Sequence, residues 1–201
     1  MVGDKRTASE LNAWLCFEDE AGQGLRPPRG KTWWRRGRTP VVKVTAAGTK
    51  RVSLAGMLGF RLRSEHAPRL IHRSIVYHGR KNEKKGFDEQ DYIRLLDAAH
   101  QQLRSPIVLV WDNINAHKSA KMRGLIEKRP WLTVFHLPPY APELNPVEGV
   151  WSGMKSGLVN LAKRNIEALK SLVKTRLRRM QYQPRMLAGL LAKTGLHLQP
   201  P

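Results

Sequence analysis

The chain opens its patterned part with Trp-Leu-Cys-Phe-Glu-Asp at 14–19, four apolar positions running into acids, which predicts a strand ending at Asp19. Three more segments predict strands: VVKV at 41–44, RVSLAGMLGF at 51–60 and RLIHRSIVY at 69–77. The period then changes. Tyr92, Leu96, Ala99 and Leu103 recur at helical spacing behind Asp88, with Asp91 three positions on, which predicts a capped amphipathic helix. IVLVW at 107–111 has no polar position and follows a proline, the pattern of a strand buried on both faces, and it ends at Asp112. LTVFHL at 132–137 predicts a further strand, and helices are predicted near 119–128, 147–160, 166–180 and 184–193, the last stopped by Gly195. Residues 22–40 are broken by Gly and Pro and read as a loop or irregular hairpin. Strands followed by alternating helices and strands predict an α/β mixed sheet flanked by helices. We read one domain over 1–201, with a core at about 13–160 and a helical extension at about 161–198.

Charge sharpens this picture. Lys and Arg number 36 against 16 acids, a formal net charge of +20. Such an excess repels itself in a compact fold, and a polyanion relieves it by displacing counterions, so nucleic acid is the expected partner. The excess is also uneven: residues 22–40 hold Arg26, Arg29, Lys31, Arg35, Arg36 and Arg38 and no acid, with Trp33 and Trp34 among them. Basic side chains interleaved with aromatic ones suit backbone contact plus base stacking. A buried tryptophan pair with a solvated rim is the alternative. A second basic row, Lys170, Lys174 and Arg178, lies opposite Ile166, Leu169, Val173, Leu177 and Met180 on one predicted helix. Cys16 is alone, which excludes an internal disulfide and a cysteine metal cluster, and the expected compartment is a reducing cytoplasm. No apolar run reaches membrane-spanning length, and the first residues lack the apolar stretch of a signal peptide.

The stretch PPYAPELNPVEGVW at 138–151 raises the question of chemistry. Locally it reads as a stiff arm entering a helix, with Asn145 as cap, Pro146 at the first turn and Glu148 as capping-box partner. Asp19 and Asp112 offer a second reading, because each closes a predicted strand, and ligands of open α/β sheets bind at strand ends. Two aspartates and a glutamate meeting there form an all-oxygen set suited to magnesium or another hard divalent ion. Two such ions, typically ~3.5–4 Å apart, clamp the attacking and leaving oxygens of a phosphodiester.

These segments carry a resemblance. FEDEAG (17–22), LVWDNINAHKS (109–119) and LPPYAPELNPVEGVWSGMK (137–155) resemble the three acid motifs of the DDE-superfamily transposases, in the bacterial insertion-sequence branch related to the mariner transposases. The 36 positions from Asp112 to Glu148 (148 − 112) suit that branch. The resemblance implies a ribonuclease-H-like fold with Asp19, Asp112 and Glu148 as catalytic metal ligands for two Mg2+ or Mn2+ ions. It implies cleavage of transposon ends, transfer of the 3′-hydroxyl to target DNA at TA dinucleotides, and a homodimer as the active complex. The resemblance also implies a bacterial cytoplasmic protein, nucleoid-associated when bound. Relatives carry helix-turn-helix modules before the catalytic part; here about a dozen residues precede the first predicted strand, so a separate chain is expected to supply them, or the chain is a fragment or decayed frame. A non-catalytic nucleic-acid-binding remnant, or a nuclease of the same fold acting on RNA or branched DNA, are the competing readings.

Neighbouring residues receive lesser roles. Asn113, His117 and Asn145 are expected to support the acids by hydrogen bonds. Glu18 and Glu20 alternate away from Asp19 and are expected at the surface or behind the site. Trp151 reads as packing, Lys155 as a phosphate contact with a solvated lysine as the alternative, and Tyr140 either stacks on DNA or fills the turn.

Overall fold

A computed structural model describes residues 2–196 apart from 32, 34, 39, 40, 42–47, 63 and 140. Its centre is a five-stranded sheet of β1 (Trp14–Gly24), β2 (Arg51–Arg61), β3 (Arg69–Tyr77), β4 (Ile107–Trp111) and β5 (Leu132–His136), in the order β3-β2-β1-β4-β5. β1, β2 and β3 pair antiparallel, whereas β4 runs parallel to both β1 and β5. Parallel neighbours need crossovers. The chain supplies them as α2 (Glu89–Leu103) between β3 and β4, and as α3 (Asn115–Lys118) with α4 (Ala120–Glu127) between β4 and β5.

Period-two alternation splits β4 between two cores. Val108 and Val110 join Leu15 and Phe17 of β1 on the face covered by α5 (Val147–Ser156), α6 (Ile166–Gln181) and α7 (Pro184–Lys193). Ile107, Leu109 and Trp111 join Trp14 and Cys16 on the face covered by α2 and α4. Both faces are therefore dry, as the unbroken apolar run requires. The capping box of α2 forms as read: Asp88 accepts from the Asp91 amide and Asp91 accepts from the Asp88 amide.

The structure corrects several expectations. β1 does not stop at Asp19 but continues to Gly24, because β2 offers a full antiparallel ladder, with Asp19 opposite Gly56 and Gly24 opposite Arg51. Gly22 to Gly24 thus leave the expected loop. Parallel pairing with β4 ends at Phe17 and Val110, so Asp19 still lies just past the point where β4 parts from β1. The helix expected at 147–160 ends at Ser156, and Asn160 turns away with φ 58°. An N-terminal helix, α1 (Val2–Glu10), was not foreseen; its Ala8 joins the core. Val41 lies outside any strand, and the rest of the 41–44 segment lies outside the described residues.

Candidate metal and nucleic-acid site

Asp19, Asp112 and Glu148 border one cleft of about 410 Å³. Asn113, Lys118, Leu137, Pro138, Pro142 and Asn145 are among its other walls. Backbone bonds explain why three segments so distant in sequence meet there. Past β5, the Leu137 amide donates to the Trp111 carbonyl at 2.8 Å, and Asn113 Nδ2 donates back to the Leu137 carbonyl at 2.5 Å, so the proline arm starts beside Asp112. The arm ends at Asn145, which is buried and donates its Nδ2 to the Glu18 carbonyl at 3.0 Å, while its Oδ1 accepts from the Val147 amide at 3.1 Å. Asn145 therefore fastens the start of α5 directly to β1, next to Asp19. The capping-box reading of Glu148 fails on the same bonds. Asn145 serves β1 and Val147, and the Glu148 carboxylate has no hydrogen-bond partner among the described residues.

Each aspartate has its own support. Trp151 Nε1 donates to Asp19 Oδ2 at 3.0 Å, and the indole is fully packed, so Trp151 packs as expected and also orients an acid. The benzene end of the indole packs against Gly56: a Cβ there would come within 2.6 Å of its Cη2. Asp112 Oδ1 is 2.9 Å from His117 Nδ1 and accepts from the Ile114 amide at 3.2 Å. His117 is buried behind the cleft wall, its ring stacked on Trp111 at 3.9 Å and 3°.

The electrostatics are uneven. Burial and then the charge of Glu148, with a smaller part from Asp112, push the Asp19 carboxyl up to about 7, and hydrogen bonds from the Glu20 backbone and Trp151 only partly offset this. Burial also works against ionisation of Asp112, but the His117 and Ile114 hydrogen bonds and the charge of His117 and His136 outweigh it and hold its pKa below the ordinary value. Among the described residues, no three acid, histidine or cysteine side chains close on one point at ligand distance. The donor set nevertheless fits a hard divalent ion: three carboxylates border one cleft, Asp19 with a pKa raised first by burial and then by its acidic neighbours, and Glu148 with no hydrogen-bond partner among the described residues.

Other expected residues lie elsewhere. Lys170 and Lys174 border a separate groove over β3, with His72, Glu167, Ser171, Thr175, Arg178 and Gln181. Arg26, Arg29, Lys31, Arg35, Arg36 and Arg38 are exposed, and Trp33 is 98 % exposed. Trp33 is therefore not half of a buried pair; Trp34 and Tyr140 lie outside the described residues. This basic segment is tied to the end of α5. The Asn160 amide donates to the Pro28 carbonyl at 3.1 Å and Asn160 Nδ2 to the Gly30 carbonyl at 3.0 Å. Lys155 is half-buried and outside the cleft. Two residues escaped the sequence reading. Lys118, the one cationic side chain bordering the cleft among the described residues, carried no signal beyond its place after His117. Glu18, expected at the surface or behind the site, is buried 3.6 Å from His117 Nε2, while Glu20 is exposed; strand alternation with Trp14 and Cys16 was the available signal for Glu18.

A family profile for DDE superfamily endonucleases matches residues 14–173. The insertion element IS630 uncharacterized 39 kDa protein of Shigella sonnei is 28 % identical over 140 residues, covering 70 % of this chain and 37 % of that one. Among solved structures, the mariner Mos1 paired-end complex with Mg superposes with a TM-score of 0.63 at 16 % identity, over 96 % of this chain and 60 % of that one. The catalytic domain of Mos1 mariner transposase superposes with a TM-score of 0.53 at 14 % identity, over 98 % of this chain and 89 % of that one. The mixed sheet flanked by helices is thus the ribonuclease-H-like fold of those domains. The chain spans little more than a third of the Shigella relative and about 60 % of the Mos1 chain in its DNA complexes. With the profile running from the first residue of β1 well into α6, and the acids of β1, β4 and α5 around one cleft, the chain belongs to the DDE superfamily endonuclease family.

Proposed function

We propose that this chain is the catalytic domain of a DNA transposase, cutting transposon ends and joining the freed 3′-hydroxyl to target DNA, with Asp19, Asp112 and Glu148 holding two Mg2+ or Mn2+ ions. The observation that carries this is the convergence of three carboxylates from β1, β4 and α5 on one cleft of a chain with net charge +20. A module that only bound nucleic acid would have no use for acids there, since each repels the phosphates that the basic surface attracts.

Bound divalent ions would lower the pKa of an attacking water or hydroxyl and stabilise charge on the phosphate. Asp19 would contribute its carboxylate to the ions, oriented by the Trp151 indole, while Asn145 ties the start of α5 to the neighbouring Glu18 carbonyl. His117 fixes Asp112. Lys118 offers its ammonium to a phosphate of the entering strand. Arg26, Arg29, Lys31, Arg35, Arg36 and Arg38, with Trp33, form one DNA-contacting surface, Lys155 adds to it, and Lys170 and Lys174 form another. A homodimer, one copy per transposon end, and a separate helix-turn-helix chain complete the reading.

The test is Glu148→Gln assayed by relaxation of supercoiled plasmid in MgCl2 or MnCl2. Gln preserves the side chain's volume and the Glu148 carboxylate makes no structural bond, so the variant should fold normally and lose metal-dependent nicking. Equal nicking by both proteins would remove Glu148 from the site.

A further inference from the structure

Glu18 is a carboxylate sealed inside the protein with no hydrogen bond. It is 1 % exposed, and neither oxygen has a hydrogen-bond partner among the described residues. A buried carboxylate left this way is heavily penalised, and an apolar side chain of the same size would serve the core better. Strand alternation explains where it points. Asp19 faces the cleft, so Glu18 faces the opposite side of the sheet, where Trp14 and Cys16 pack under α2.

His117 meets it there. Its Nε2 is also without a partner and lies 3.6 Å from Glu18 Oε2. Its Nδ1 lies 2.9 Å from Asp112 Oδ1 and 3.3 Å from the Asp112 carbonyl oxygen. The ring is 2 % exposed, stacked on Trp111 and met by the Tyr92 ring at 4.8 Å and 77°, so it can neither tilt nor swing.

We propose that Glu18 is a positioning residue: through His117 it forms a buried carboxylate–imidazole–carboxylate chain that sets the rotamer of Asp112 for a divalent cation. The proposal rests on the metal-site reading above. It follows the general pattern in which outer partners orient a ligand that they do not replace.

The test uses Glu18→Leu and Glu18→Gln. For each, thermal unfolding is measured without metal, Mn2+ binding by calorimetry, and DNA affinity in EDTA. Both variants are expected to fold with midpoints at or above that of the wild type, since the buried unpaired carboxylate is gone. Mn2+ should bind about 10–100-fold more weakly to Glu18→Leu, with unchanged DNA affinity. Glu18→Gln should lose less, because its amide can still bond Nε2. In an Asp112→Asn background, Glu18→Leu should change Mn2+ binding no further. Wild-type Mn2+ affinity in Glu18→Leu overturns the proposal, and so does a variant that fails to fold, which would make Glu18 structural. A wild-type chain that binds no Mn2+ takes down the metal-site reading itself, and the proposal with it.

Discussion

The raised pKa of Asp19 makes metal-free stability fall as pH rises. The carboxyl titrates at about 7 in the fold against an ordinary value of 3.8, because burial and the charges of Glu148 and Asp112 disfavour its ionised form. An acid with a raised folded-state pKa contributes most below the unfolded value; the contribution drains away between pH 3.8 and about 7 and is gone above that. At about 1.36 kcal/mol per pKa unit, the full window is worth roughly 4 kcal/mol. Of this, roughly 2.5 kcal/mol is lost between pH 5 and pH 8. For a chain of this size that corresponds to roughly 5–10 °C in unfolding midpoint. The assay is thermal unfolding in EDTA at pH 5 and pH 8, comparing the wild type with Asp19→Asn, which removes the titrating group but not its neighbours. The wild type should lose that much more stability than the variant across the interval. Saturating Mg2+ at pH 8 should return it to the wild type and not to the variant, since a ligand that binds only the folded state stabilises it. If the two proteins lose stability in parallel from pH 5 to pH 8, the charge cluster does not strain Asp19 and the electrostatic argument fails.

Other outcomes follow from single contacts. Gly56→Ala should destabilise by about 1–3 kcal/mol in urea unfolding, because the new methyl meets the Trp151 ring at 2.6 Å; it should also weaken metal binding by lifting the indole from Asp19. Trp151→Phe keeps an aromatic ring but removes a hydrogen bond that lowers the Asp19 pKa, so the pH at which metal binding is half-maximal should move upward in a calorimetric series. Lys118→Ala should reduce the slope of log affinity against log salt by about 0.9, the value of one phosphate contact, in fluorescence titrations with duplex DNA; an unchanged slope places Lys118 away from the backbone.

The framework was readable because burial leaves a signature in side-chain period. β3 covers 69–77 as read, β4 covers 107–111, and α2 begins behind Asp88 with Asp91 in its first turn, as its capping box demands. What escaped depends on partners distant in the chain. The end of β1, Ala-Gly-Gln-Gly, has no strand propensity, and only its ladder with β2 holds it extended. Glu148 reads locally as a cap, and only the bonds of Asn145 to Glu18 and Val147 show the cap to be occupied otherwise. The burial of Glu18 was hidden for a related reason. Alternation already put Glu18 and Glu20 on the face opposite Asp19, but it left surface and interior open, and only the packing of α2 and His117 over that face separates a buried Glu18 from an exposed Glu20. The Asp19–Glu148 proximity, 129 positions apart (148 − 19), has no local signal at all; only the resemblance pointed to it.

That separation has a consequence during translation. β1 and β4 can pair once residue 111 has been made, yet Asn145 and α5, which seat the last acid beside the first, leave the ribosome later. A nascent chain thus carries the basic residues of 22–40 while the three acids have not yet met. On the function proposed above, such a chain could settle on DNA before it could cut it, and the bond of Asn145 to β1 makes the closing contact.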